Sequence, residues 1–285
     1  MLFGKVGAVI ATISLAPQVS GIPTLNSRST PAPSAWPELH RAAQLSSAAY
    51  TGCVGQAFDV TITKKIDDLL TDTQGYVGYS NSKKRITVAM RGSTTLTDIL
   101  NDIDTTLVTP SLSGVEFPPG AEVMEGVYGP WSSVHDDVIS EVKALAAKYP
   151  DYTLESTGHS LGGSLTYLSY IALVQNFPDK EVISNAMAAF PIGNSAFADF
   201  GGSLKGTLNR GNNAADGVPN MYVTVPYNFQ HYGTEYYSSG TKATCVECEG
   251  QRDLTCSAGN GMIGVTSGHF QSFGVSLGLA GCGIL

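Results

Sequence analysis

Six residues, Gly158-His159-Ser160-Leu161-Gly162-Gly163, lie between a short β-like run, Thr153 to Ser156, and a helix-like stretch, Ser164 to Val174. A serine among glycines at a strand-to-helix junction constrains the chain on both sides. Small neighbours let strand and helix approach closely, and the sharp turn holds the serine in a strained conformation with its hydroxyl clear of the sheet. The Leu161 N–H, at the helix start, then faces any oxyanion forming beside that hydroxyl. The pattern G-x-S-x-G recurs at Gly274-Val275-Ser276-Leu277-Gly278, with no histidine after it. The chain order Ser, Asp/Glu, His cannot be built from that copy, so Ser276 reads as a packing residue in a small-residue helix.

A serine hydroxyl is a poor nucleophile until a base takes its proton. His40 and His135 precede Ser160 on helices expected at the surface, and His159 adjoins it in the turn, where its geometry is wrong for a base. His231, in an aromatic stretch, reads as a packed structural histidine. His269, in Thr266-Ser267-Gly268-His269-Phe270, sits in a loop before an expected helix and is the chosen base. Its tautomer needs a carboxylate. Asp179, Glu181, Asp199, Asp216, Glu235, Glu247, Glu249 and Asp253 all fall between the two residues. Asp216 is preferred because Asp216-Gly217-Val218-Pro219 reads as a tight turn entering a strand, though spacing alone leaves the others open.

A second oxyanion donor is expected at Ser93, which follows the alternating strand Arg85 to Met90 through Arg91-Gly92. In the next segment, Thr94 to Asp104, Leu96, Ile99, Leu100 and Ile103 recur at i, i+3, i+4 and i+7 beneath a polar face. Such a helix beside an oxyanion donor suits a lid.

Elsewhere, helices are expected at Leu39 to Tyr50, Trp131 to Lys148 and Gly268 to Leu277. Strands are expected at Val60 to Ile66, Gly75 to Tyr79, Ala186 to Phe190, Met221 to Val225 and Tyr232 to Ser238. Strands alternating with helices, without repeats or a second core, indicate a single α/β domain.

The first residues read as a secretory leader, 1–21, with one charge, Lys5, an apolar run Val6 to Ala16 too short for a bilayer, and small residues Ser20 and Gly21. Residues 22–36 are Ser-, Thr- and Pro-rich and read as a linker or wrapping arm, leaving 37–285 as the domain. The formal charge of −8 disfavours nucleic acid and anionic membranes as partners. A secreted monomer without a stable membrane anchor is expected. Five cysteines suit an oxidising compartment. Cys53–Cys282 would tie the ends of the domain together, and Cys248–Cys256 is favoured with Cys245 left free. A zinc site from the local cluster plus a histidine is the rival reading.

These residues resemble a known family. The segments are Met90-Arg91-Gly92-Ser93, Thr157-Gly158-His159-Ser160-Leu161-Gly162-Gly163, Phe190-Pro191-Ile192-Gly193-Asn194, Ala196-Phe197-Ala198, Asp216-Gly217-Val218-Pro219-Asn220, Gly233-Thr234-Glu235-Tyr236-Tyr237 and His269-Phe270. In this order they are similar to secreted fungal lipases of class 3, a group that includes feruloyl esterases. The resemblance covers roughly Pro37 to Cys282. It implies an α/β-hydrolase-like domain with a mostly antiparallel central sheet and a short helical lid. It also implies a Ser160, Asp216, His269 triad, oxyanion donors Ser93 and Leu161, and disulfides matching Cys53–Cys282 and Cys248–Cys256. The expected activity is hydrolysis of carboxylic esters, foremost acylglycerols, through an acyl-enzyme, with no metal or cofactor. A feruloyl-type esterase is the alternative, and a non-catalytic lipid-binding relative a third reading. The lid segment lacks the tryptophan of many oil-active members and carries Asp98, Asp102 and Asp104.

Overall fold

A computed structural model describes residues 29–93 and 103–283. The expected leader, Leu96, Ile99 and Leu100 lie outside the described residues. The strands are β1 (Thr30–Pro31), β2 (Gln56–Ala57), β3 (Val60–Asp68), β4 (Thr73–Ser80), β5 (Arg85–Met90), β6 (Leu107–Val108), β7 (Val123–Met124), β8 (Thr153–His159), β9 (Val182–Met187), β10 (Thr207–Asn213), β11 (Thr234–Ser238), β12 (Val246–Glu247), β13 (Gln271–Ser272) and β14 (Val275–Ser276). The α-helices described are α1 (Trp36–Thr51), α2 (Glu125–Lys148), α3 (Leu161–Asn176) and α4 (Ser195–Ser203).

Ten of the described strands form one sheet, in the order β1-β12-β11-β10-β9-β8-β5-β4-β3-β2. The expectation of a mostly antiparallel centre is corrected here. β5, β8, β9, β10 and β11 run parallel, and antiparallel pairing is confined to the two flanks. The reason is the crossovers. Helices α2, α3 and α4 are long enough to carry the chain from the end of one strand back to the start of the next, whereas tight turns at the flanks force reversal. The class itself, α/β with a large mixed sheet, is as expected.

Both faces of the sheet are covered. Ile86, Val88 and Met90 of β5 pack with Val127, Trp131 and Val138 of α2 and with Leu165 and Leu168 of α3. Ala89 instead joins Leu45 and Ala48 of α1 on the opposite face. Residues Gly162 to Leu173 of α3 are all buried, as in a helix surrounded by protein. β8 shows the same alternation. Leu154 faces α3, while Glu155 turns toward α1 and receives Arg41 Nη1 at 2.8 Å, Arg85 Nη1 at 2.8 Å and Thr87 Oγ1 at 2.6 Å. Arg41 also reaches Asp59, and Arg85 reaches Glu38.

Several expected elements differ. Helix α2 starts at Glu125 rather than Trp131, despite Gly126, Gly129 and Pro130, because this first part buries Val127 and packs Gly126 against Ile103 and Asp104. On α2, His135 is buried, not at the surface. The strand expected at Ala186 to Phe190 is β9, ending at Met187. Met221 to Val225 is not a strand, since β10 pairs directly with β11 and leaves no slot between them. β10 itself, Thr-Leu-Asn-Arg-Gly-Asn-Asn, had no hydrophobic signature. It is nonetheless central, with Arg210 ion-paired to Glu235 at 3.4 Å and Asn212 donating to the same carboxylate. Gly268 to Leu277 is not a helix but a 3₁₀ turn followed by the β13–β14 hairpin. Phe273 and Gly274 form its turn with φ of 45° and 79°, the both-positive geometry of a tight hairpin. Burial of Phe273 against Trp36 and Met187 overrides helical spacing there. Ser276 therefore lies in β14, bonded to Gln271.

Thr30–Pro31, within the expected arm, adds an edge strand to β12. Disulfides Cys53–Cys282 and Cys248–Cys256 both form, and Cys245 is free and buried. The second bridge consumes two of the three thiolates that a zinc site would need.

Candidate active site

Parallel strands end at one edge of the sheet, and β5, β8 and β10 each deliver a side chain there. Ser160 directly follows β8 and caps α3. Its φ of 61° and ψ of −126° are strained for a residue with a side chain. The strain is enforced by packing. A Cβ at Gly158 would stand 2.2 Å from Gly162 O, one at Gly162 2.3 Å from Met90 O, and one at Gly163 2.5 Å from Met187 O. Only glycine lets β8, β5, β9 and α3 meet this closely. Ser160 N donates to Met187 O at 3.0 Å, pinning the bend to β9.

Asp216 follows β10, in a turn that enters a 3₁₀ segment, Val218–Asn220, rather than the expected strand. Val218 N–H donates to Asp216 Oδ1 at 2.9 Å. His269 Nδ1 lies 3.0 Å from both Oδ1 and Oδ2 of Asp216. A carboxylate accepts, so Nδ1 carries a proton, and in the neutral ring Nε2 is the nitrogen with the lone pair. Asp216, His269 and Ser160 are each fully buried.

The loop bearing His269 is fastened to the loop bearing Asp216. Asn213 Nδ2 donates to Gly268 O at 3.0 Å, Asn260 Nδ2 to Asp216 O at 2.8 Å, and Gly264 N to Gly217 O at 3.1 Å. Gly268 rests on the Ala215 backbone, where a Cβ would stand 2.5 Å from its carbonyl. Sequence reasoning missed Asn213 and Asn260, because a lone asparagine in a loop signals nothing about where its amide points.

Among the described residues, Ser160 Oγ, His269 Nε2 and Ser93 Oγ are buried polar atoms without a hydrogen-bond partner, as are Arg91 Nε and Asn213 Oδ1 nearby. Buried polar groups are nearly always satisfied, so unpaired ones concentrated at a strand edge mark a place built for another molecule's atoms. Ser93 follows β5 through Gly92, and Leu161 is the first residue of α3. Both line one small cavity together with Gly92 and Leu165. Of the four apolar positions read as a lid, Ile103 alone is described; contrary to the helix expected through Asp104, Ile103 and Asp104 are not helical, because Ile103 packs against the main core beside Gly126.

The other histidines are placed elsewhere. His231 is held by Tyr167 Oη at 2.8 Å and Pro219 O at 2.8 Å, a structural role as expected. His40 bonds Phe273 O at 2.7 Å.

Known proteins resemble this chain in sequence and in fold. The family model "Lipase (class 3)" matches residues 87–225. A secreted alkaline triacylglycerol lipase of Penicillium cyclopium is 64% identical over 285 residues, covering 100% of both chains. A lipase of Rhizomucor miehei is 28% identical over 78% of this chain and 61% of its own length. The crystal structure of a triacylglycerol lipase from Penicillium expansum superposes with a TM-score of 0.89 at 66% identity, covering 90% of this chain and 100% of that one. Alike along its whole length to one such enzyme, and folded like another, the chain belongs to the class 3 lipase family.

Proposed function

We propose that this protein is a secreted serine carboxylic ester hydrolase acting on triacylglycerols, with Ser160 as nucleophile, His269 as base and Asp216 as the carboxylate that orients it. The observation that carries the reading is the buried Asp216–His269 pair, with a lone-pair-bearing Nε2 and an unpartnered Ser160 hydroxyl at the same strand edge. Ser160 Oγ attacks the ester carbonyl as its proton passes to His269 Nε2. The Leu161 and Ser93 N–H groups, aided by the Ser93 hydroxyl, hold the resulting oxyanion, each donor contributing about 3–4 kcal/mol to the barrier reduction. The intermediate collapses, His269 returns the proton to the departing alcohol, and Ser160 is left acylated. Water, deprotonated by His269, then attacks the acyl carbonyl, and His269 returns that proton to Ser160 Oγ as the Oγ–acyl bond breaks and the fatty acid leaves.

The full burial of Ser160 requires an opening motion before substrate enters. The segment that begins at Thr94, whose Leu96, Ile99 and Leu100 recur at helical spacing in the sequence, is the proposed cover, with Ile103 at its end anchored on the core. The β3–β4 turn supports action at an oil surface. Arg91 N–H donates to Gln74 O at 2.8 Å, which puts this turn at the catalytic edge, and its Leu69 and Leu70 are 84% and 98% exposed. The feruloyl-esterase reading is not favoured, because the relative matching the whole chain is a triacylglycerol lipase.

Ser160→Ala, assayed on emulsified tributyrin, is expected to lose activity by several orders of magnitude with its circular dichroism unchanged. A serine-directed phosphonate should label the parent protein once, at Ser160. Retained hydrolysis in the variant would sink the reading.

A further inference from the structure

The elbow histidine has no part in the proton transfer described above, yet its ring is bonded at both nitrogens. His159 Nε2 lies 2.9 Å from the carbonyl oxygen of His269, and His159 Nδ1 lies 3.1 Å from Tyr50 Oη. A carbonyl only accepts, so Nε2 carries the ring proton and Nδ1 is the acceptor. The Tyr50 hydroxyl supplies the matching donor and shares its proton with His159 O at 3.2 Å. Tyr50 reaches this point because residue 92 is glycine, where a Cβ would stand 2.0 Å from Tyr50 Oη.

From this geometry we infer that His159 is a positioning residue, which, locked in one tautomer by Tyr50, tethers the His269 backbone and so sets where the catalytic imidazole meets Ser160. The inference rests on the proposed triad. Three segments converge on this tether: the end of α1 through Tyr50, the end of β8 through His159, and the loop carrying His269. Asp216 grips the His269 ring from one side, and His159 grips its peptide carbonyl from the other. Asp216 fixes the direction of Nδ1 and Asn213 holds the neighbouring Gly268 carbonyl, whereas His159 bonds the peptide carbonyl of His269 itself, and an Nε2 displaced by about 1 Å costs on the order of 100-fold in rate. Next to Ser160 in sequence, His159 measures the position of the base from the same strand end that bears the nucleophile.

The tether stays neutral. Burial, then the neighbouring His269, hold the His159 imidazole well below its ordinary 6.5. The two rings are 4.5 Å apart between centroids. A neutral His159 therefore keeps its bond when His269 becomes an imidazolium during the reaction, whereas a charged one would repel it.

The test compares His159→Phe, His159→Gln and Tyr50→Phe with the parent enzyme on a dissolved ester, p-nitrophenyl butyrate, alongside Ser160→Ala. His159→Phe removes the donor and is expected to lower kcat by about 10- to 100-fold with KM unchanged and phosphonate labelling slowed in proportion. His159→Gln keeps an N–H donor and should recover part of that loss. Tyr50→Phe, which releases the tautomer, should lower kcat in the same direction by a smaller factor, and it decides the question if His159→Phe fails to fold. Parent-like kcat in a folded His159→Phe, or in Tyr50→Phe if the former does not fold, overturns the tether. So does a His159→Gln enzyme no faster than His159→Phe. An active Ser160→Ala overturns the triad instead, which keeps the two failures apart.

Discussion

His269 donates from Nδ1 to Asp216 at 3.0 Å, and neither side chain reaches solvent. The carboxylate holds one tautomer of the ring before any substrate arrives. The proposed activation of Ser160 is thus prepared by two loops, one after β10 and one before the final hairpin, that share a network of backbone and asparagine hydrogen bonds.

Asp216→Asn should leave the fold intact and lower kcat on tributyrin by about 10⁴-fold, because an amide can offer its own donor to Nδ1 and so favour the wrong tautomer. Titrating the variant with a phosphonate separates a slow enzyme from a misfolded one. A loss smaller than tenfold would count against the role of Asp216.

The elbow tolerates no side chain behind the serine. Gly162→Ala places a Cβ 2.3 Å from Met90 O and 2.8 Å from Arg91 C, both backbone atoms that cannot swing away. Destabilisation of about 1–3 kcal/mol is expected from the overpacking, with a larger proportional loss of kcat as Leu161 and Ser160 shift. Urea unfolding and ester hydrolysis on the same preparation check this, and parent-like values in both would refute the packing argument.

Acid should loosen the face of the sheet under α1. Burial alone would raise the Glu38 carboxyl, but Arg85, Asn185 and Arg41 together hold it below its ordinary 4.5. Asp59, likewise opposed by burial, is held below its ordinary 3.8 by Arg41 and Ser80. A carboxylate depressed in the folded state contributes stability that is complete above its unfolded value and is lost as pH falls through the folded one. Melting temperature should therefore begin to fall below about pH 4.5 and fall further beneath 3.8. The double variant Glu38→Gln, Asp59→Asn should show a shallower acid limb, and an equally steep one would refute the assignment.

Leu69→Ser with Leu70→Ser should weaken adsorption to oil while leaving chemistry alone. Each leucine that enters an apolar phase contributes about 1.5–3 kcal/mol, so binding to a triolein emulsion should drop by at least about tenfold. Hydrolysis of dissolved p-nitrophenyl butyrate should be unchanged. Equal losses on both substrates would mean that the turn shapes the site rather than the contact with lipid.

Local patterns in the chain were readable to the extent that their causes were local. The strand Arg85–Met90, the bend at Ser160 and helix α1 each follow from spacing and residue size within a dozen or so positions, and each lies where that spacing put it. β10 was invisible, because Asn209, Arg210, Asn212 and Asn213 look like a polar loop until Asn185, Glu235 and the Gly268 carbonyl, from 23 to 55 residues away, pair with them.

By itself, then, the sequence determined a bend at Ser160, an α/β alternation and an order of serine, acid and histidine, since these depend on the size, charge and spacing of near neighbours. Tertiary structure alone decided that the central strands run parallel, that the closing segment is a hairpin around Phe273, and that the histidine of the elbow lies between Tyr50 and the backbone of the base. Those outcomes depend on which distant groups meet in the interior. There, burial makes every unpaired donor costly and selects the one arrangement that satisfies nearly all of them.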